Sequence, residues 1–154
     1  LVKDVRMLLG DVYVLDTPVR SWHTADLVPG PAGWLREIRS AAESKEWPAP
    51  LAVDGRTAFE QPNLLLQLRR VSDPPEDQST LGLFLGGRAI AYATEREAKA
   101  IEEPIAELQT QGVAVWCRAK FVPARPETGH AVPWLLYETD EPSRLRAQLD
   151  YLLR

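Results

Sequence analysis

A chain of 154 residues with 45% hydrophobic and 26% charged side chains can build one core without staples, and its apolar runs are too short to cross a bilayer. Its single cysteine, Cys117, excludes an internal disulfide and a multi-cysteine metal site, which suits a reducing, cytoplasmic setting. The net charge of −4 excludes the broad cationic attraction behind non-specific duplex binding, so any nucleic-acid contact must be local.

Taken in order, Val5 to Leu9 and Val12 to Leu15 flank Gly10-Asp11 and read as a short hairpin or as one bulged strand. Asp16 to Gly33 carries Thr17-Pro18 and Pro29-Gly30-Pro31 and reads as a connecting loop. Trp34, Leu35, Ile38 and Ala42 keep helical spacing, which predicts a helix over about 33–45 that stops before Trp47-Pro48-Ala49-Pro50. Leu51-Ala52-Val53 and Leu64 to Val71 follow as strands, and Ser72 to Ser79, with two prolines, as a polar loop.

The most legible stretch is Leu81 to Val122. Leu81 to Leu85, Gly86-Gly87 and Arg88 to Tyr92 form a hairpin pattern, because paired glycines supply the positive φ of a two-residue turn. Thr94-Glu95-Arg96-Glu97 is a capping box that opens a helix with Ala98, Ile101, Ile105 and Leu108 on one stripe, a kink or break expected at Pro104, and Gly112 as its cap. Val113 to Val122 then alternates, with Val113, Val115, Cys117, Ala119 and Phe121 on one face and a wet, basic, aromatic face of Trp116, Arg118 and Lys120. Residues 132–138 read as a strand and Pro142 to Leu153 as a closing helix. The predicted fold is α+β: a small, mostly antiparallel β-barrel with one or two packed helices over residues 51–154, and an N-terminal hairpin-and-helix extension over residues 1–50. Leu1 stands where an initiating methionine would, which leaves room for an upstream partner domain.

The chemical inventory points away from catalysis. The sequence has no Gly-x-Ser-x-Gly elbow, phosphate-binding loop or His-Glu-x-x-His helix, and its two histidines, His23 and His130, fall in loop-like surroundings. Glu95, Glu97, Glu102, Glu103 and Glu107 read as the solvated face of their helix, and Cys117 as a buried structural thiol. No enzyme activity, metal or cofactor is expected.

From Leu51 onward the order of elements resembles the HIRAN family, a β-barrel module found fused to Snf2-type helicases and in uncharacterised bacterial proteins. Val53-Asp54-Gly55-Arg56-Thr57-Ala58-Phe59 is similar to the family's opening strand, glycine and aromatic. Arg70-Val71-Ser72-Asp73-Pro74-Pro75-Glu76-Asp77 is similar to its proline-containing acidic loop, and Gly87 to Glu97 to its second hairpin strand and capped helix. The family's aromatic just before the loop aspartate is here Glu76, and its Gly-Tyr or Gly-Phe is Ala91-Tyr92.

The resemblance implies a module that recognises the 3′ end of single-stranded DNA, with Phe59 for stacking, Asp77 near the terminal hydroxyl, and Arg69 or Arg70 on the backbone. The strand pattern adds Trp116, Arg118 and Lys120 to these candidates. The rival reading is a protein-interaction module, bound to another protein or an upstream domain, with Trp22, Trp34 and Trp47 as its anchors. Neither reading involves a membrane.

Overall fold

The computed structural model describes residues 12–15, 21–30, 33–44, 64–122, 124, 126–129 and 132–154. Among these, seven strands are present: β1 (Val12–Val14), β2 (Ser21–Leu27), β3 (Leu64–Arg70), β4 (Leu81–Leu85), β5 (Arg88–Tyr92), β6 (Ala114–Val122) and β7 (Trp134–Thr139). Three α-helices accompany them: α1 (Trp34–Ser44), α2 (Glu95–Thr110) and α3 (Pro142–Leu152). The expected strand segments at 5–9 and 51–53, and the candidates Trp47 and Phe59, lie outside the described residues. No helix among the described residues is long and apolar enough to cross a membrane.

The strands run around the barrel in the order β6-β3-β4-β5-β2-β7, and β7 pairs back onto β6. Every neighbour pair in this ring is antiparallel, so the fold is the small α+β barrel that the sequence predicts. Closure removes the exposed sheet edges that would otherwise template aggregation. β1 is the extra strand. It pairs in parallel with Ala114–Trp116, while β7 pairs with Ala119–Val122, so the two share one side of the long strand β6.

Local chemistry accounts for most of these elements. Gly86 and Gly87 adopt φ of 58° and 83°, the doubly positive turn that matches strand twist across β4 and β5. Thr94 caps α2 by accepting from the Glu97 amide. At the other end the Val113 amide reaches Leu108 O at 2.9 Å and the Gly112 amide reaches Gln109 O at 3.1 Å, with Gly112 at φ 78°. This is a Schellman ending, and it turns the chain directly into β6. α3 starts on Pro142, whose missing amide costs nothing in the first turn.

One continuous core fills the barrel and both of its mouths. α2 lays Ala98, Ile101, Ile105 and Leu108 against β3, β6 and α3, and α3 adds Leu145 and Leu149. Each such aliphatic side chain contributes about 1.5–3 kcal/mol by leaving water. α1 covers the opposite mouth with Trp34, Ile38 and Ala42, close to Leu85 and the hairpin tip. Gly30 permits this. A Cβ there would stand 2.4 Å from the Trp34 ring.

Two expectations are corrected. The stretch read as a loop from Asp16 to Gly33 contains β2, whose residues pair with both β5 and β7. β2 is a stave of the barrel although it belongs to the first fifty residues, so the boundary drawn at residue 50 passes through the strand set. Its sequence, Ser-Trp-His-Thr-Ala-Asp-Leu, is too polar to announce a strand, and the open edges of β5 and β7 supply the reason for one. α2 runs undivided through Pro104, which is buried in a helix that packs on β3, β6 and α3, and that packing holds it as one element. The strand and the closing helix expected at the C-terminus are both present, as Trp134–Thr139 and Pro142–Leu152.

Candidate functional site

The outer wall formed by β6, β3 and β4 carries one row of side chains. Register places Trp116 on β6 opposite Gln67 on β3, and Gln67 opposite Phe84 on β4. Neighbouring strands are about 4.8 Å apart, which puts the two aromatic residues two strands, or about 10 Å, from each other. Arg69, next along the same face of β3, holds its guanidinium 4.9 Å from the centre of the Phe84 ring. The partner of Arg69 across the ladder is Gly82, and a Cβ there would lie 2.7 Å from the Phe84 ring. A glycine at this point thus lets the ring lie over the strand and under the arginine.

The row ends at the corner that joins β3 to β4. Arg70 is exposed there, its amide fixed by a 2.6 Å hydrogen bond to Gln109 Oε1 on α2. The Val71 amide donates to Thr80 O across the mouth of the loop, and the Thr80 hydroxyl bonds Glu102. Inside the loop the Gln78 amide returns to Pro75 O at 3.1 Å, which places exposed Asp77 at the third position of a tight turn. Its φ of 65° is the left-handed conformation that aspartate tolerates better than most residues. Arg69, Arg70 and Asp77 therefore share one corner, with Trp116 in the row behind it.

Two cations assigned to the wet face of β6 are not on a wet face. Arg118 and Lys120 are buried. Arg118 Nη1 lies 3.6 Å from Glu138 Oε2 and donates to Leu15 O at 3.3 Å, because Leu15, directly after β1, lies on this side of β6. A buried guanidinium requires a counter-charge, and β7 supplies it on the same face. Lys120 places its ammonium 4.4 Å from the centre of the Trp22 ring. Trp116 is half-buried against Val14, Leu65 and Ala114. Of the three tryptophan anchors, Trp22 is thus a cation platform, Trp34 is core and Trp47 lies outside the described residues. Phe84 escaped the sequence reading, and its one signal is alternation with Gly82 on the solvent side of β4.

Glu97 also differs from expectation. It is 2% exposed rather than part of a solvated helix face. Its Oε1 lies 3.2 Å from His23 Nδ1 and 3.3 Å from the Thr139 hydroxyl, and its Oε2 lies 3.3 Å from the Tyr137 hydroxyl. Tyr137 in turn accepts the Thr94 amide at 3.1 Å. The capping box is therefore half local: Thr94 caps Glu97, but Tyr137 takes the place that the Glu97 carboxylate would fill on Thr94. Burial, opposed by the Thr94 hydrogen bonds, pushes the Tyr137 phenol up to about 12. Burial likewise raises the Cys117 thiol, aided by Glu138 and opposed by Arg118, so it stays protonated and inert at neutral pH.

Comparison with protein-family models, curated proteins and solved structures gives no match for this chain.

Proposed function

We propose that this chain is a non-catalytic binding module that holds single-stranded DNA near a 3′ end, on the outer wall of β3, β4 and β6. The observation that carries the reading is the stack of Arg69 on Phe84, in one row with Trp116 and beside exposed Arg70. Aromatic faces accept any base, and an arginine held over a ring offers both a plane and a phosphate contact. Phe84, with one face on the strand at Gly82 and the other under Arg69, holds that guanidinium plane in place as the platform at the β3–β4 corner, where the HIRAN-like loop carries Glu76 in place of an aromatic. Asp77, exposed at the loop turn, accepts a hydrogen bond from a terminal hydroxyl and repels a terminal phosphate.

With Arg118 and Lys120 engaged inside, Arg69 and Arg70 carry the electrostatics. Binding is then weak and strongly salt-dependent. The test is fluorescence anisotropy with single-stranded oligonucleotides bearing a free or phosphorylated 3′ end, at two salt concentrations. Phe84→Ala should weaken binding by about 1–3 kcal/mol whatever the sequence. Arg70→Ala should reduce the salt slope, and Asp77→Asn should abolish the preference for a free 3′ hydroxyl. Absence of binding at low salt, or binding indifferent to Phe84→Ala and Arg70→Ala, refutes the reading.

A further inference from the structure

Gln67 is the polar residue at the centre of the outer row. On β3 it stands between Trp116 of β6 and Phe84 of β4, in register with both. A strand bonded along both edges holds its Cα in place, so the side chain reaches out from a fixed point. Gln67 is half-buried, and its carboxamide has no hydrogen-bond partner among the described residues. Arg69 follows two residues along the same face, about 7 Å away at the rise of a strand. Its guanidinium is the one held over the Phe84 ring. A base laid on that guanidinium brings one of its edges within reach of the Gln67 amide.

Given the single-stranded DNA reading, on which this rests, we infer that Gln67 is the base-reading residue of the wall and selects adenine at the nucleotide held on Arg69. A carboxamide presents one donor beside one acceptor, so it pairs with an edge that offers the complementary two. Every unpaired base has such a pair on its Watson–Crick edge, but on the Hoogsteen edge adenine alone does, through N6 and N7. Guanine presents two acceptors there, cytosine a lone donor and thymine a lone acceptor beside its methyl. Single strands leave both edges open. Because Asp77 takes the 3′ hydroxyl at the same corner, the base on Arg69 is the terminal one.

The probes are oligothymidines labelled at the 5′ end that differ only in the 3′-terminal base: adenine, cytosine, guanine, thymine, or unsubstituted purine, which keeps the stacking rings but lacks the 6-amino donor. Adenine should bind about fivefold or more tightly than the others. Its advantage should vanish with purine, with Gln67→Ala, and when the adenine is moved to the 5′ end. Gln67→Glu, whose carboxylate only accepts, should shift the preference to cytosine. Circular dichroism verifies that both variants are folded, and the purine comparison needs no variant at all. Binding without a base preference overturns the inference and leaves the single-strand reading standing. So does a preference for guanine, which the arginines would read, or an adenine preference that survives either Gln67→Ala or loss of the amino group. No binding to any of the oligonucleotides overturns both.

Discussion

His23 Nδ1 stands 3.2 Å from the Glu97 carboxylate, and this contact ties the strand that completes the barrel to the first turn of the helix that fills its mouth. The two residues are far apart in sequence, and each was unremarkable on its own element. Around them Tyr137 and Thr139 of β7 direct hydroxyls at the same carboxylate, so β2, β7 and α2 meet on one buried acid. The acid also faces the positive end of α2, which favours it further.

Glu97→Ala should therefore destabilise the fold by about 2–4 kcal/mol, since the Tyr137 and Thr139 hydroxyls lose their charged acceptor and fall back on Thr94 Oγ1 and Asp140 O. His23→Ala should cost less, about 1 kcal/mol or under, because the half-exposed imidazole is replaced by water. Urea unfolding of both variants provides the comparison. A loss under about 1 kcal/mol for Glu97→Ala would show that the acid does not bind the three elements together.

Alkaline titration should unfold the protein in a defined window. The Tyr137 phenol is raised in the folded state to about 12 from an ordinary value of 10.0, and the Cys117 thiol is raised from 9.0. Both groups are neutral in either state below those ordinary values, so the stability they allow is fully present there. Above them the unfolded chain ionises first, and stability falls as pH climbs from about 9 through 12. Tyr137→Phe should flatten the upper part of that loss. It should also cost about 1–2 kcal/mol at neutral pH, because the Thr94 amide loses its acceptor. Stability that stays level to pH 12 would contradict the burial of both groups.

Arg118 and Glu138 offer a double-mutant cycle. Arg118→Met alone leaves a buried carboxylate without its counter-ion and should cost about 3–5 kcal/mol. Glu138→Leu alone should cost a similar amount. The double variant should recover most of the loss, since an apolar pair of similar volume is often neutral in such a site. Additive losses from the two changes would mean that the charges are not coupled.

Gly82→Ala separates stability from binding. The new methyl would enter the space of the Phe84 ring, which is half-exposed and can swing outward. Chemical unfolding should therefore change by under about 1 kcal/mol. The stack with Arg69 should be lost, and under the nucleic-acid reading oligonucleotide affinity should fall as far as it does in Phe84→Ala. Full affinity with the ring displaced would remove the stack from the binding surface.

Features whose causes lie within a few residues were legible in the sequence. The Gly86-Gly87 turn, the Thr94 cap, the Gly112 ending and the apolar stripe of α2 follow from backbone sterics and helical periodicity, which neighbouring residues determine alone. Arg69, Arg70 and Asp77 are nominated by the resemblance alone, since local periodicity gives no reason to single them out. What tertiary structure decided depends on which surfaces the rest of the chain covers. Alternation along β6 correctly sorted Cys117 from Arg118, but not whether the second face meets water. On that face Arg118 is met by Leu15 and Glu138, and a lysine or arginine there reads the same in sequence whether solvated or paired. β2 had no apolar pattern to find, because it is a strand through the unpaired edges of β5 and β7. Glu97 looked like its neighbours on α2, and only the arrival of His23, Tyr137 and Thr139 at one point made its burial tolerable.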